Sequence, residues 1–251
     1  MGRVRSRREL VILDHLRELK AATVGELVAE TGASRATIRR DLAALERSGA
    51  IRRSYGGAVV VDEDAPFARV ELVNREAKQL IAGRAVQLVH DGQSVILDIG
   101  TTTLRVAHLL RTSRVTVITA SLPICEVLRD SRTVHLIVLP GDYDPVYGSM
   151  SGPLTVECLR LIHADHAFLG VSGVAVNGDL RDTTLPQVPV KRAIAEASLE
   201  VTVLADHSKF PGTGVGQVPL PSNVARFVTD RDVPAEFASV LAARGVEVAV
   251  G

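Results

Sequence analysis

Residues 34–47 read S-R-A-T-I-R-R-D-L-A-A-L-E-R, and they fix what surrounds them. Ser34 is a side chain suited to cap a helix N-terminus. Ile38, Leu42 and Leu45 follow at i, i+4 and i+7, one apolar seam on a helix of roughly Arg35 to Ser48, which Gly49 ends. With that seam turned inward, Ala36, Arg40, Ala43 and Arg47 face away from the core, flanked by Thr37 and Arg39. A capped helix with a small, basic outer face is shaped to enter a DNA groove. Alone, however, such a helix can also be a solvated surface helix.

The neighbouring segments decide between these readings. Before it, residues 8–20 place Leu10, Leu13, Leu16 and Leu19 near one helical face. Residues 24–31 make a short second helix with Val24, Leu27 and Val28 inward, and Gly32 stops it. After it, residues 51–60 (IRRSYGGAVV) read as two short strands around Gly56-Gly57, a wing. Helix, short helix, turn, basic helix and wing is the order of a winged helix-turn-helix. In such a unit the N-terminal part of the recognition helix meets base edges. Ser34, Arg35, Thr37, Arg39 and Arg40 lie there, and arginine can bond guanine bidentately. Arg52, Arg53 and Tyr55 of the wing are placed to hold phosphates.

Charge agrees. The chain of 251 residues has a net charge of zero, but residues 1–60 hold 12 Lys+Arg against 7 Asp+Glu, and residues 61–251 hold 17 against 22. A basic head on an acidic body implies that only the head meets a polyanion. The core is aliphatic, with 46% hydrophobic and 3% aromatic residues. Cys125 and Cys158 form no C-x-x-C, which excludes a zinc ribbon or a disulfide framework. Glu9, Asp14 and Glu18 interrupt any signal-peptide core, and no apolar run is long enough to span a membrane, so a cytoplasmic protein is expected.

Residues 61–67 (VDEDAPF) look like a linker, which is placed at 61–73 between a head of residues 1–60 and a body of residues 74–251. The body opens on a helix carrying Lys78, Ile81, Ala82 and Ala85. Short β-branched runs then alternate with helical stretches: 94–100, 115–120, 134–140, 166–171, 201–206, 225–230 and 246–250. Runs buried on both faces and separated by helices predict an α/β fold with a mostly parallel sheet.

Ligands of such sheets gather at the carboxyl ends of the strands. There the chain reads L-D-I-G-T-T-T (97–103), with Gly100 permitting a tight turn into a helix. The backbone N–H groups and hydroxyls of Thr101, Thr102 and Thr103 are expected to point at an anion on the helix N-terminus. Asp98 beside the turn is placed to accept sugar hydroxyls or to orient a lysine. A plain strand-to-helix turn reads the same way. Ser121 ends a second strand, Asp206 and Lys209 end another, and Lys191 opens a helical run. Lysine is scarce, occurring only at 20, 78, 191 and 209 against 25 arginines, and three of the four fall in these segments.

These segments resemble the DeoR family of bacterial regulators over nearly the whole chain. In the head the resemblance rests on T-I-R-R-D-L (37–42), L-E-R-S-G-A-I-R-R (45–53) and Y-G-G-A (55–58). In the body it rests on A-K-Q-L-I-A (77–82), D-I-G-T-T-T (98–103), V-I-T-A-S-L (117–122), F-L-G-V-S-G (168–173), V-K-R-A-I (190–194) and L-A-D-H-S-K-F (204–210). It implies a helix-turn-helix at about 22–41 and a body similar in fold to ribose-5-phosphate isomerase. It further implies a regulator, usually a repressor, released from operator DNA by a sugar phosphate. Ligand roles fall on Lys78, Asp98, Gly100 to Thr102, Asp206 and Lys209. Asp41, in the head motif, is expected to orient an arginine or a backbone group. Ala120, Asp142 and Gln187 depart from the family pattern at expected pocket-side positions. Asn is usual at the first, Gly at the second and an acidic residue at the third.

The partners expected are thus double-stranded operator DNA, a phosphorylated sugar and further copies of the chain, with no membrane and no cofactor. A sugar-phosphate isomerase with a DNA-binding head is the alternative, and the missing carboxylate at Gln187 weighs against it. His163 and His166 are spaced i, i+3 without a supporting cluster, so no metal site is expected.

Overall fold

The computed structural model describes residues 7–19, 21–47, 51–54, 57–60 and 67–251. The chain divides into two compact units, residues 1–64 and 65–251.

The first unit runs α1 (Arg7–Leu19), β1 (Ala21–Thr23), α2 (Val24–Thr31), α3 (Arg35–Arg47), β2 (Ile51–Ser54) and β3 (Gly57–Val60). Thr23 caps α2 through a capping box: its Oγ1 accepts from the Glu26 N–H at 3.2 Å, and its own N–H donates to Glu26 Oε2 at 2.7 Å. Gly32 ends α2 with φ of 67°, a left-handed conformation that favours glycine. The antiparallel wing pairs β2 with β3 as the sequence implies, and β1 adds a third strand on the other side of β3.

The core of this unit gathers Ile12, Leu13, Leu16, Leu27, Ile38, Leu42, Leu45 and Ile51. Each such side chain contributes about 1.5–3 kcal/mol by its burial. The seam expected on α1 needs one correction. Leu10 is 45% exposed and Ile12 takes its place. Glu9, Ile12, Leu13 and Leu16 are the i, i+3, i+4, i+7 set that turns inward, and Leu10 falls one position off it. Leu19 lies among residues whose side chains are not described.

The second unit opens with α4 (Phe67–Leu72), where a linker was expected up to residue 73. α4 is held because Phe67 packs on the apolar core and its N–H donates to Val146 O at 3.3 Å. Then come α5 (Arg75–Val86), β4 (Ser94–Leu97), α6 (Thr101–Leu110), β5 (Thr116–Thr119), α7 (Leu122–Leu128) and β6 (His135–Val138). A hairpin of β7 (Asp142–Asp144) and β8 (Ser149–Ser151) precedes α8 (Pro153–Arg160) and β9 (Ala164–Gly170). β10 (Gly173–Val174) and β11 (Leu180–Asp182) lead into α9 (Gln187–Glu196) and β12 (Ser198–Leu204). A 3-10 turn at His207–Lys209, β13 (Gly216–Val218), β14 (Val224–Thr229), α10 (Ala235–Ala243) and β15 (Glu247–Val250) complete the chain.

The seven expected strands form one sheet in the order β15-β14-β12-β9-β4-β5-β6, every pair parallel. From β4 the chain winds outward one way through β5 and β6, and the other way through β9, β12, β14 and β15. The switch point therefore lies between β4 and β9. Side chains on one sheet face pack with α5, α6 and α7 (Ile81, Val95, Leu97, Leu104, Ile124), and those on the other with α8, α9 and α10 (Ile96, Ile118, Leu159, Val190, Phe237). The body is thus a three-layer α/β/α unit. The sequence pattern did not reveal the small antiparallel sheet β10-β11-β13 or the β7-β8 hairpin, whose strands are two or three residues long.

Candidate functional site

On the head, Ser34 caps α3: the Thr37 N–H donates to Ser34 Oγ at 3.2 Å. Its hydroxyl also contacts Thr37 Oγ1 at 2.9 Å. Arg35, Ala36, Arg39 and Arg40 are exposed, and Thr37 is half-buried. Asp41 turns away from this surface. Arg8 of α1 donates to both its oxygens, Nε to Oδ2 at 2.6 Å and Nη2 to Oδ1 at 3.3 Å. This bidentate pair fixes α3 against α1, which is the arginine-orienting role expected of Asp41. Arg52 and Arg53 lie on β2, but their side chains, like Tyr55, lie outside the described residues.

At the switch point of the sheet, Asp98 follows β4 and is buried. Lys191, one turn into α9, is buried against it. Its Nζ donates to Asp98 Oδ2, to Gly170 O at 2.8 Å, and pairs with Asp182 Oδ2 at 3.1 Å. Burial alone would neutralise this ammonium, but Asp98 and Asp182 outweigh it and hold it charged, above the usual lysine range. Burial pushes the Asp98 carboxyl up, and Lys191 draws it back. Gly170 also donates its N–H to Asp98 Oδ2 at 3.1 Å. A side chain at this glycine would meet Ile99 O at 2.9 Å, so β9 can approach the turn this closely only with glycine there.

Two expected ligand roles change here. An ammonium has three N–H bonds, and those of Lys191 are all spent on protein acceptors. Lys191 therefore positions Asp98 and Asp182 and has no donor left for a ligand. Thr103 donates its hydroxyl to Gly100 O at 2.9 Å, so that hydroxyl is not aimed at an anion. Gly100, at φ of 134°, makes the turn expected of it. The N–H groups of Thr101, Thr102 and Thr103 open α6 without intrahelical acceptors.

Three buried polar atoms cluster around this floor without a hydrogen-bond partner among the described residues: Asp98 Oδ1, Ser121 Oγ and Gln187 Oε1. Ser121 follows β5, next to β4, and bridges to Ser149. Gln187, one turn before Lys191, donates its amide to Ser149 Oγ at 3.3 Å and Met150 O at 3.2 Å, leaving its oxygen open. Buried polar atoms are rarely left so. Of the other departures from the family pattern, Ala120 packs in the apolar core and Asp142 stands exposed on β7.

A second group lies along α5 and α6. Lys78 is buried and donates to Val70 O of α4 at 2.5 Å. Burial, and then Lys209, bring its pKa down to about 8. Asp206 accepts at Oδ1 from Ser208 N–H at 2.9 Å, Ser208 Oγ at 2.5 Å and Asn74 Nδ2 at 2.9 Å, which caps the 3-10 turn carrying Lys209. The sequence reading did not include Arg105, on α6, whose Nε and Nη2 are buried without a hydrogen bond. Its spacing, four residues beyond Thr101, places it on the same helix face, and that was the available signal. Asp182 carried no local signal: it sits near Lys191 because β11 pairs between β10 and β13.

Comparison with known proteins bears on both units. The model of a "DeoR-like helix-turn-helix domain" matches residues 8–64, and that of a "DeoR C terminal sensor domain" matches residues 73–231. The transcriptional repressor AccR of Agrobacterium fabrum is 35% identical over 89% of this chain and 88% of its own length. The HTH-type transcriptional repressor GlcR of Bacillus subtilis is 32% identical over 97% and 95%. The glycerol-3-phosphate regulon repressor of Escherichia coli is 30% identical over 92% of each. Among solved structures, ribose 5-phosphate isomerase of Methanocaldococcus jannaschii aligns over 54% of each chain at 20% identity, with a TM-score of 0.41.

Proposed function

The chain belongs to the DeoR family of DNA-binding transcription regulators, and from this premise we propose that it is a repressor of sugar-metabolism genes which a phosphorylated sugar releases from its operator. Its relatives are regulators and not enzymes. The α3 surface of Arg35, Thr37, Arg39 and Arg40 reads base edges in the major groove, and the wing holds phosphates. One recognition helix offers few base contacts, so the chain acts as a homo-oligomer, a dimer or tetramer, on paired half-sites in the cytoplasm.

The observation that carries the effector reading is the trio of unpartnered buried atoms, Asp98 Oδ1, Ser121 Oγ and Gln187 Oε1, at the switch point of the sheet. Two of the three are pure acceptors, which calls for a ligand rich in hydroxyl donors. Beside them stand the open N–H groups of α6 and the cations Lys78 and Lys209, which suit a phosphoryl group. A polyol with one phosphorylated end satisfies both halves. The neutral amide of Gln187 cannot take up a proton, which weighs against isomerisation of the sugar and for holding it.

The test is differential scanning fluorimetry with matched pairs of phosphorylated and unphosphorylated sugars, followed by operator titration with the most stabilising compound. Phosphorylated members should raise the melting temperature, by mass action, and should weaken DNA binding. Equal shifts from both members of each pair, or steady turnover of a sugar phosphate, would overturn the reading.

A further inference from the structure

Arg105 is anomalous. Its side chain is 11% exposed, and its Nε and Nη2 find no hydrogen-bond acceptor. Its nearest acid is Glu71 of α4, with Oε1 3.8 Å from Nη2, an ion-pair distance but too long for a hydrogen bond. Nη1 reaches Gln79 Oε1 only at 3.5 Å. A guanidinium has five N–H donors, and leaving them unmet in a buried place is costly. Side chains on a helix tend to lean toward its N-terminus, which for Arg105 is the turn where the N–H groups of Thr101–Thr103 are also open. Lys78 is the neighbouring cation. It spends one donor on the Val70 carbonyl of α4 and has two to spare. Arg105 and Lys209 both lie close enough to Lys78 to oppose its charge. Three cations thus lie near one another, and two of them rest on the same short helix.

We propose that Arg105 is an anion-binding residue, and that a bound phosphoryl group draws Arg105 off Glu71 and Lys78 off the Val70 carbonyl, so that effector binding loosens α4. The proposal rests on the effector reading above and adds the residue that completes the site and the element that carries the signal. The guanidinium fork matches two phosphoryl oxygens. Among the described side chains, the six-residue α4 is tied by the contacts of Val70 and Glu71, the Phe67 N–H to Val146, and the packing of Phe67. Residues 61–66 join it directly to the head. An exchange of partners at α4 therefore acts on the segment that leads to the DNA-binding unit.

The experiment uses inorganic phosphate on the full chain, with sodium chloride at matched ionic strength as control. Affinity is read by calorimetry and the protection of residues 67–72 by amide exchange. Phosphate should bind the wild type, Arg105→Met should weaken it roughly tenfold or more, as for a lost charge-assisted bond, and protection of α4 should fall when phosphate is added. Glu71→Gln should bind phosphate several-fold tighter, because Arg105 is no longer shared. A purely structural Glu71 gives no such tightening, so this variant decides the matter if Arg105→Met does not fold. No phosphate-specific binding by the wild type would sink the effector reading together with this proposal. Binding unchanged in Arg105→Met, unchanged or weaker in Glu71→Gln, or α4 protection indifferent to phosphate would overturn the proposal and leave the effector reading standing.

Discussion

Lys191 holds Asp98 from the opposite layer of the body: α9 packs on one face of the sheet, and the turn after β4 leads to α6 on the other. The pair ties the two helical layers together at the floor of the site, with Asp182 as a third charge. Removing one partner of a buried ion pair leaves an uncompensated charge, at a cost of about 3–5 kcal/mol. Lys191→Met should therefore lose stability of that size in urea unfolding. Arg129→Ala, which breaks an exposed pair with Glu126, should lose less than about 1 kcal/mol. A stable Lys191→Met that has lost only its effector response would return Lys191 to the ligand set.

On the head, Arg39→Ala and Arg40→Ala should each weaken operator binding by about 1–3 kcal/mol, the worth of a bidentate base contact. Both side chains are exposed on the capped helix and away from its buried seam, so folding and sugar-phosphate stabilisation should be unchanged. Electrophoretic titration of both mutants on operator DNA checks this. Wild-type affinity in both would remove α3 from the groove.

What the sequence made legible follows a physical rule. The seven strands announce themselves as apolar runs because both their faces are buried, and the α3 seam by its helical period because one face is. The turn at Gly100 was legible because its chemistry is local. Asp98 was expected to accept sugar hydroxyls or to orient a lysine, and in the structure its Oδ2 accepts from Lys191. That Lys191 is engaged with Asp182 as well was not legible, because Asp182 comes from a three-residue strand with no pattern of its own. Arg105 was passed over for a similar reason. On α6 it reads as an ordinary polar position, and only the packing of α4 and α5 around it shows that its donors are unmet.

The depressed pKa of Lys78 gives the site a pH signature. Burial lowers it first, then Lys209 and Arg105, while Asp206 and Glu71 oppose, leaving it at about 8. Anion binding needs the charged form. Affinity for a phosphate monoester, dianionic above its second pKa of about 6, should be near its maximum around neutral pH and fall as pH rises through about 8. The fold responds with the opposite sign. Between about 8 and the ordinary lysine value of 10.5, the unfolded chain binds the proton that the folded one has lost, so the contribution of Lys78 to stability rises with pH. Calorimetry near pH 8 in two buffers of different ionisation heat should show proton uptake on binding. Lys78→Arg should flatten the profile, and an unchanged profile in that variant would assign the titration elsewhere.

The coupling of the two units is tested by Thr101→Val and Lys209→Ala. Thr101 opens α6 and is buried in its first turn, and Lys209 is presented by the turn that Asp206 caps. Neither belongs to the head, so operator affinity without effector should match wild type. If they hold the effector as proposed, both variants should stay on DNA at effector concentrations that release the wild type. Linkage makes the test reciprocal: if effector weakens operator binding by some factor, operator DNA must weaken effector binding by the same factor. Coupling of this kind is about 1–3 kcal/mol, roughly 5–150-fold in affinity. The two titrations, DNA with and without the best stabilising sugar phosphate and sugar phosphate with and without DNA, should therefore give one number in the wild type and a ratio near one in both variants. Release of both variants at the wild-type concentration would place the effector somewhere other than the start of α6.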